Sequence, residues 1–432
     1  MYALYTLGLC VAGVLLFPRL LRRAWWGAEK GDWRERLGLL PPAPALAGCL
    51  WFHAASVGEV QALAPIVAAL HQRLPQRPVV VSTFTPSGKR LARQAIPQAA
   101  LVFLLPVDVP WTLKRVLARL QPRALLVQET ELWPQLFRLA RRRQVPVVLL
   151  NGRLSPRAFR RYRYLRPLLR RVLHDVRLLL VQSDTMAQRF RELGTPPARL
   201  RVTGNTNIDR ALLAAAAPAA PHPLAPLLSG RRVFVAGSTH AGEEELLLQV
   251  YRRLQATYPD LLLVLAPRHL ERVARVVRLG RAAGCPVVRR SQCAGLRPAD
   301  LGQPCVLVLD TLGELAALYR LASVAFVGGS LVPVGGHNLL EPAVFAKPLF
   351  FGPYLHHFPD LAAMLCAAGG AVQVPDAAAL HAEIDSVLRH PERGIAMGQR
   401  ALQALKQNRG ALERTVAAVA AVLAEVGEEA CA

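Results

Sequence analysis

The stretch Val324–Gly352, VAFVGGSLVPVGGHNLLEPAVFAKPLFFG, decides how the rest of the chain is read. VAFVGG (324–329) is short, apolar and closed by glycine, the pattern of a buried strand. KPLFFG (347–352) is a second such run. Between them a loop carries Gly335, Gly336, His337 and Asn338, and a short apolar helix follows with Glu341 in its first turn. A strand, a helix and a second buried strand make a parallel crossover unit. A glycine-rich loop before a helix lets backbone N–H groups approach an anion, and the helix dipole favours negative charge there. A plain turn with an N-cap at Asn338 accounts for the same residues without a ligand.

The same alternation extends in both directions. Strand runs are expected at 49–54, 78–84, 100–105, 124–128, 145–150 and 177–182, and then at 231–238, 260–267, 286–290, 305–310, 324–329, 347–352 and 371–374. Helical periods separate them, as in EVQALAPIVAALHQRL (59–74), WTLKRVLARL (111–120), EEELLLQVYRRLQATY (243–258) and ELAALYRLA (314–322). Continuous apolar strands between helices predict parallel sheets covered on both faces. The Ala/Pro-rich segment 211–230 breaks the alternation and reads as a linker. The expected organisation is an anchor at 1–23, an N-terminal α/β domain at 24–210, the linker at 211–230, a C-terminal α/β domain at 231–410 and a C-terminal helix at 411–432. Two doubly wound, Rossmann-like halves would face a central cleft at the carboxyl ends of their strands, where open α/β folds bind ligands.

Lys and Arg number 53 against 29 Asp and Glu, a net charge of +24 in 432 residues. That balance points to an anionic partner: nucleic acid, an acidic membrane surface or a phosphorylated substrate. The seven cysteines show no CxxC pair or zinc spacing and read as reduced thiols. At the N-terminus, the apolar run 2–17 is followed by Arg19, Arg22 and Arg23 with Trp25, Trp26 and Trp33 interleaved. Positive-inside logic puts these on the cytoplasmic side of a membrane, with the Trp residues at headgroup level. The stretch 156–176, PRAFRRYRYLRPLLRRVLHDV, reads as one helix with an apolar stripe and a cationic face suited to anionic lipid.

Candidate chemistry sits just after the strands. Glu59 opens a helix after the first strand, either as a general base or as a carboxylate that merely suits the helix dipole. Glu129 and Glu131 share one face after the fourth strand run. Arg268, after the run 260–267, is a natural phosphate clamp. Gly313 and the 335–338 turn stand at helix starts, and Glu341 is placed to accept from a ribose diol. No Walker loop or GxGxxG follows the first strand of either half, and no Asp-x-Asp pair marks a metal–diphosphate site.

Together these stretches resemble the bacterial Kdo transferases, which attach 3-deoxy-D-manno-oct-2-ulosonic acid (Kdo) to a lipid A precursor. The matching segments are WFHAASVGEV (51–60), QETELWP (128–134), NGRLS (151–155), VTGN (202–205), GSTHAGEEE (237–245), APRH (266–269) and FVGGSLVPVGGHNLLEP (326–342). The resemblance implies a glycosyltransferase fold of the B type and a metal-independent, inverting transfer from CMP-Kdo to a lipid A precursor (lipid IVA) in lipopolysaccharide synthesis. It implies no cofactor beyond the donor substrate. Expected partners are CMP-Kdo, the lipid acceptor and the anionic inner-membrane surface, with no nucleic acid. The catalytic domains would be cytoplasmic, held by the single N-terminal anchor.

By the same resemblance Glu59 is the base and Glu129 stabilises the transition state. The donor nucleotide falls to Pro267, Arg268, Leu312, Gly313, Glu314, Asn338, Leu339, Leu340 and Glu341. Asn207 stands where the family carries a lysine, and it is expected beside the leaving phosphate as an amide donor. Leu312 replaces Met and Leu339 replaces Pro. Two other readings fit parts of the pattern: a UDP-sugar lipid glycosyltransferase of the same fold, and a non-enzymatic basic membrane-surface protein.

Overall fold

The computed structural model describes residues 2–11, 32–43, 46–217, 221–303 and 305–429. They fall into two compact units, Met1–Arg210 with Arg409–Ala432, and Ala211–Asn408.

The first unit is built on seven strands: β1 (Leu50–Ala54), β2 (Val79–Thr83), β3 (Ala99–Leu104), β4 (Ala124–Gln128), β5 (Val147–Gly152), β6 (Leu178–Val181) and β7 (Leu200–Val202). All pairs are parallel, in the order β3-β2-β1-β4-β5-β6-β7. β1, β2 and β4 are buried along their whole length, which is why their sequences are continuous apolar runs rather than alternating ones. The order reverses between β1 and β4, the topological switch point of a doubly wound sheet.

The second unit carries β8 (Arg232–Thr239), β9 (Leu261–Pro267), β10 (Val287–Arg289), β11 (Cys305–Val308), β12 (Val324–Val327), β13 (Leu349–Phe351) and β14 (Ala371–Gln373). Its parallel order is β10-β11-β9-β8-β12-β13-β14, with the switch between β8 and β12. All thirteen expected strands are present. β7 is additional.

Three expectations are revised or extended. Residues 211–230, read as a linker, lie in the second unit; helix continues to Ala216 and Ala225–Leu228 forms another turn. The C-terminal helix Ala411–Glu429 belongs to the first unit: Val416, Val419 and Val422 join the core of Leu63, Ile66, Val67 and Leu70. Asp209 accepts from the N–H groups of Gly410 and Leu412 and caps that helix. The arginine-rich segment is two helices, Pro156–Tyr164 and Arg166–His174, not one. Pro167 has no N–H to continue the first helix and its ring would crowd the Arg163 carbonyl, so the helix breaks at Leu165 and Pro167 falls in the first turn of the second, where it is tolerated.

Of the expected anchor only residues 2–11 are described, and they are helical; 12–23 lie outside the described residues. No helix among the described residues is long and apolar enough to cross a membrane. The six described cysteines are free, and burial pushes the Cys49 thiol up to about 12.

Candidate active site

In the first unit the switch point gathers carboxylates. Ser56 caps the helix Val57–Arg73, its hydroxyl accepting from the Glu59 N–H. Glu59 answers with a reciprocal cap: its Oε2 accepts from the Ala55 N–H at 2.8 Å and its Oε1 from the Ser56 hydroxyl at 3.0 Å. The structural role is therefore real. It does not exhaust the residue, because a first-turn carboxylate favoured only by the helix dipole keeps a low pKa. Here burial, then the charges of Glu129 and Glu131, push the Glu59 carboxyl up to about 7, against the Ala55 and Ser56 hydrogen bonds. An acid poised near neutrality in a sheet crevice is suited to proton abstraction.

Glu129 follows β4, directly across the switch. Its φ of 57° puts a non-glycine residue in the left-handed region, a strain that persists only where surrounding structure holds it. Arg153 supplies part of that hold: its Nε donates to Glu129 Oε2 at 2.7 Å. Asn151, at the end of β5, is also left-handed, with φ 54°. Its buried Oδ1 accepts from the Thr206 N–H at 3.2 Å and so fixes the start of the helix Thr206–Ala216. Asn207 is in the first turn of that helix. Its own N–H is capped by the Asn205 side chain, and its side-chain amide is bonded to no described residue. No direct contact joins Asn207 to Glu59 or Glu129.

In the second unit the polar groups converge on the β8/β12 switch. Ser238, near the end of β8, has φ 56°. His240 follows it, and the Arg268 N–H, just past β9, donates to Thr239 O at 3.0 Å. The Arg268 side chain is exposed and unpaired among the described residues, with Pro267 buried beneath it. The loop after β12 is held from below by Glu243. This buried carboxylate accepts from the N–H groups of Gly329 (2.6 Å), Ser330 (2.9 Å), Leu331 (2.9 Å) and His240 (3.0 Å).

The glycines of the loop are needed for a different reason than expected. Gly335 (φ 116°) and Gly336 (φ 74°) turn the chain back, and both N–H groups donate to Gly329 O, so neither is left to meet an anion. A Cβ on Gly336 would stand 2.1 Å from Leu355 Cδ1. Asn338 does act as a cap: its Oδ1 accepts from the Leu340 N–H, and its amide donates to Glu341 Oε1 at 3.3 Å. Leu339 and Leu340 are buried, so their side chains are not offered to a ligand. Leu312 is 81% exposed beside Gly313. Glu314 is clamped by Arg290 through both nitrogens at 2.8 and 2.9 Å and by Thr311 at 2.7 Å. Burial pushes this carboxyl up, but the Thr311 and Arg290 bonds outweigh it and hold it below its ordinary value.

Sequence reasoning passed over Arg153, Arg290, Glu243 and the role of His240 and His337. NGR after β5 and RR after β10 were visible as strand-end cations. Three of the four partners of Glu243 lie more than eighty residues downstream and leave no local trace.

The protein thus has two doubly wound parallel-sheet domains, with carboxylates at one switch point and histidines and an arginine at the other, and its relatives place it among the glycosyltransferases. Residues 31–210 match the family described as 3-deoxy-D-manno-octulosonic-acid transferase (kdotransferase). The chain is 35% identical to the 3-deoxy-D-manno-octulosonic acid transferase of Haemophilus influenzae, over 94% of this chain and 93% of that one. It is 34% identical to the corresponding Bordetella pertussis protein, over 96% and 98%. Among solved structures, the UDP-GlcNAc 2-epimerase of Neisseria meningitidis shares the fold, with a TM-score of 0.57 over 83% of this chain and 97% of that one at 14% identity. The chain belongs to the 3-deoxy-D-manno-octulosonic acid (Kdo) transferase family.

Proposed function

We propose that the protein transfers Kdo from CMP-Kdo to a sugar hydroxyl of a lipid A precursor (lipid IVA), with inversion and without a metal. The observation that carries the mechanism is Glu59: a carboxyl held near neutrality at the β1/β4 switch, beside two further carboxylates. Ionised Glu59 takes the proton of the attacking hydroxyl. Glu129, held by Arg153, faces the positive charge that develops on the ketose carbon as the bond to CMP breaks. In the second unit Arg268 receives the phosphate, the Asn338–Glu341 turn and the Leu312–Glu314 corner receive the nucleoside, and Pro267 floors the site. Asn207 offers an amide donor in place of the family's lysine. No group of three His, Cys, Asp or Glu side chains among the described residues is placed to hold a metal ion.

The test is acceptor-dependent release of CMP from CMP-Kdo by the purified protein in EDTA, with a tetraacylated lipid A precursor. Release is expected. Turnover only with UDP-sugars, or only after Mg²⁺ is restored, would contradict the proposal.

Glu129→Gln checks the electrostatics. Glu129 raises the Glu59 carboxyl, so removing its charge lowers that pKa. The base must be ionised, so kcat/KM of the native enzyme rises with pH through about 7. In Glu129→Gln this acid limb is expected at lower pH, at reduced overall rate. An unmoved limb would separate the two carboxylates. Asn207→Ala is expected to lower kcat more than it weakens CMP binding, and Asn207→Lys to keep or raise kcat, since charge-assisted hydrogen bonds are about twice as strong as neutral ones.

We also place the first unit on an anionic membrane surface, with its anchor at the cytoplasmic face of the inner membrane. Leu4, Leu7 and Val11 are exposed along one side of the 2–11 helix. Its other side is tied to the unit by Tyr2 to Asp175 and Gln135 to Thr6. A hollow beside it is lined by Tyr2, Arg141, Arg170, Arg171 and Asp175, among others; Arg141 is paired with Asp175 at 3.0 Å, and Arg170 and Arg171 have no ion pair among the described residues. Each such arginine near anionic lipid contributes about 1 kcal/mol. Binding to phosphatidylserine vesicles is expected to fall steeply with salt; equal binding to neutral vesicles would refute the electrostatic part.

A further inference from the structure

His240 and His337 reach each other from opposite sides of the β8/β12 switch. Their Nε2 atoms are 2.8 Å apart, the ring planes differ by 6° and the centroids are 5.0 Å apart. That nitrogen separation is a hydrogen-bond distance, closer than stacked rings approach. The two imidazoles therefore lie nearly in one plane, one Nε2–H donating to the other Nε2. Both Nδ1 atoms are left without a partner among the described residues.

Histidines and arginines make up most of the surroundings. His269 stands edge-on to His240 at 5.6 Å. Arg268 and Arg272 act on His240, and Arg268, His269 and His357 on His337. His356 packs with His357 against Gly335. The nearby acids are already engaged: Glu243 by four backbone N–H groups, Glu244 by Arg272 at 2.8 Å and by Thr239, and Glu271 by His269 at 3.5 Å. Among the described residues no carboxylate pairs with His240 or His337, and Arg268 adds to the positive charge beside them.

We propose that the His240–His337 pair is the proton-linked oxyanion receptor of the donor site: when a phosphate or carboxylate binds beside it, the pair takes up a proton from solvent. Neutral, the pair presents one Nδ1–H donor and one Nδ1 acceptor. A proton added to that acceptor leaves the Nε2–H···Nε2 bond intact and gives both rings an Nδ1–H donor. Burial first, then the neighbouring cations, hold both imidazoles below their ordinary range, His337 at about 4, so the pair is neutral before the anion arrives. An anion in contact reverses the sign of the local potential and raises the pair's pKa. The role rests on the donor reading proposed above, and it makes the pair a determinant of specificity for an acidic donor.

The test is calorimetry at pH 7.5 in two buffers of different ionisation enthalpy, with CMP, inorganic phosphate and free Kdo as separate titrants. Wild-type protein is expected to take up a measurable fraction of a proton per anion bound, growing as the pH is lowered, so affinity falls as pH rises. His337→Gln and His240→Asn should each abolish the uptake and flatten the pH dependence. Differences from wild type cancel the titration of the ligand's own phosphate. Uptake with CMP and phosphate but not Kdo assigns the pair to the phosphate; the reverse assigns it to the sugar carboxylate. CMP binding without proton uptake, or with the same uptake in both variants, overturns the proposal and leaves the donor reading standing. Absence of CMP binding in wild type overturns both.

Discussion

Replacing Glu59 with alanine is expected to lower turnover by about 10²–10⁴-fold, the usual worth of a positioned general base, while CMP affinity stays nearly unchanged. The separation matters because Glu59 also caps its helix through Ala55 and Ser56. A cap alone is worth about 1 kcal/mol of stability and should not govern rate. Glu59→Gln sharpens the comparison. An amide can still accept through its oxygen, so the Ala55 bond can be kept, but it cannot take a proton. If the residue is only a cap, the Gln variant should be close to wild type in rate and the Ala variant merely less stable. If it is the base, both variants lose turnover alike, and the rise of kcat/KM through about pH 7 disappears from what remains. Wild-type turnover in either variant would end the assignment.

The second large effect is expected at Glu243. This carboxylate is fully buried and collects four backbone N–H groups, three from the loop after β12 and one from His240 at the end of β8. Glu243→Ala strands those donors. A buried unsatisfied donor costs about 1–3 kcal/mol, so the loss for the second unit should be at least ~3 kcal/mol even if water enters to serve some of them. The loop that loses its support carries His337, Asn338 and Glu341, so CMP binding should fall with stability. Glu243→Gln keeps one acceptor but points an N–H₂ at a donor, and should lie between alanine and wild type. Thermal unfolding and CMP titration on the same preparations measure both. An unchanged Tm together with unchanged CMP affinity in Glu243→Ala would show that the loop stands without it.

The strands were legible because each central one is buried on both faces and has no polar alternation to obscure it. β7 escaped because Leu200–Val202 is a three-residue edge strand, half-exposed, with Arg201 at its centre. The Ala/Pro segment 211–230 reads as flexible from composition, yet half of it folds as helix within the second unit. The return of the C-terminal helix to the first unit depends on Asp209, two hundred residues away in sequence. No local pattern encodes such a contact. The candidate site divides in the same way. Glu59, Glu129 and Arg268 were visible because strand-end positions are few and their chemistry is distinctive. The groups that tune them were not, since Arg153, Arg290 and Glu243 act through partners that only the folded sheet brings near. The loop glycines were rightly singled out, but for conformation and close packing rather than for N–H groups offered to an anion.

The proposed reaction moves Kdo from CMP-Kdo onto a lipid A precursor. Mass spectrometry of the lipid recovered after incubation of the full-length protein with CMP-Kdo and tetraacylated acceptor measures that directly. The account predicts a lipid heavier by one or more whole Kdo residues with wild-type protein in EDTA, and acceptor of unchanged mass with Glu59→Ala over the same time. Unmodified acceptor with wild-type protein, or a mass increment that appears only with a UDP-sugar, would contradict it.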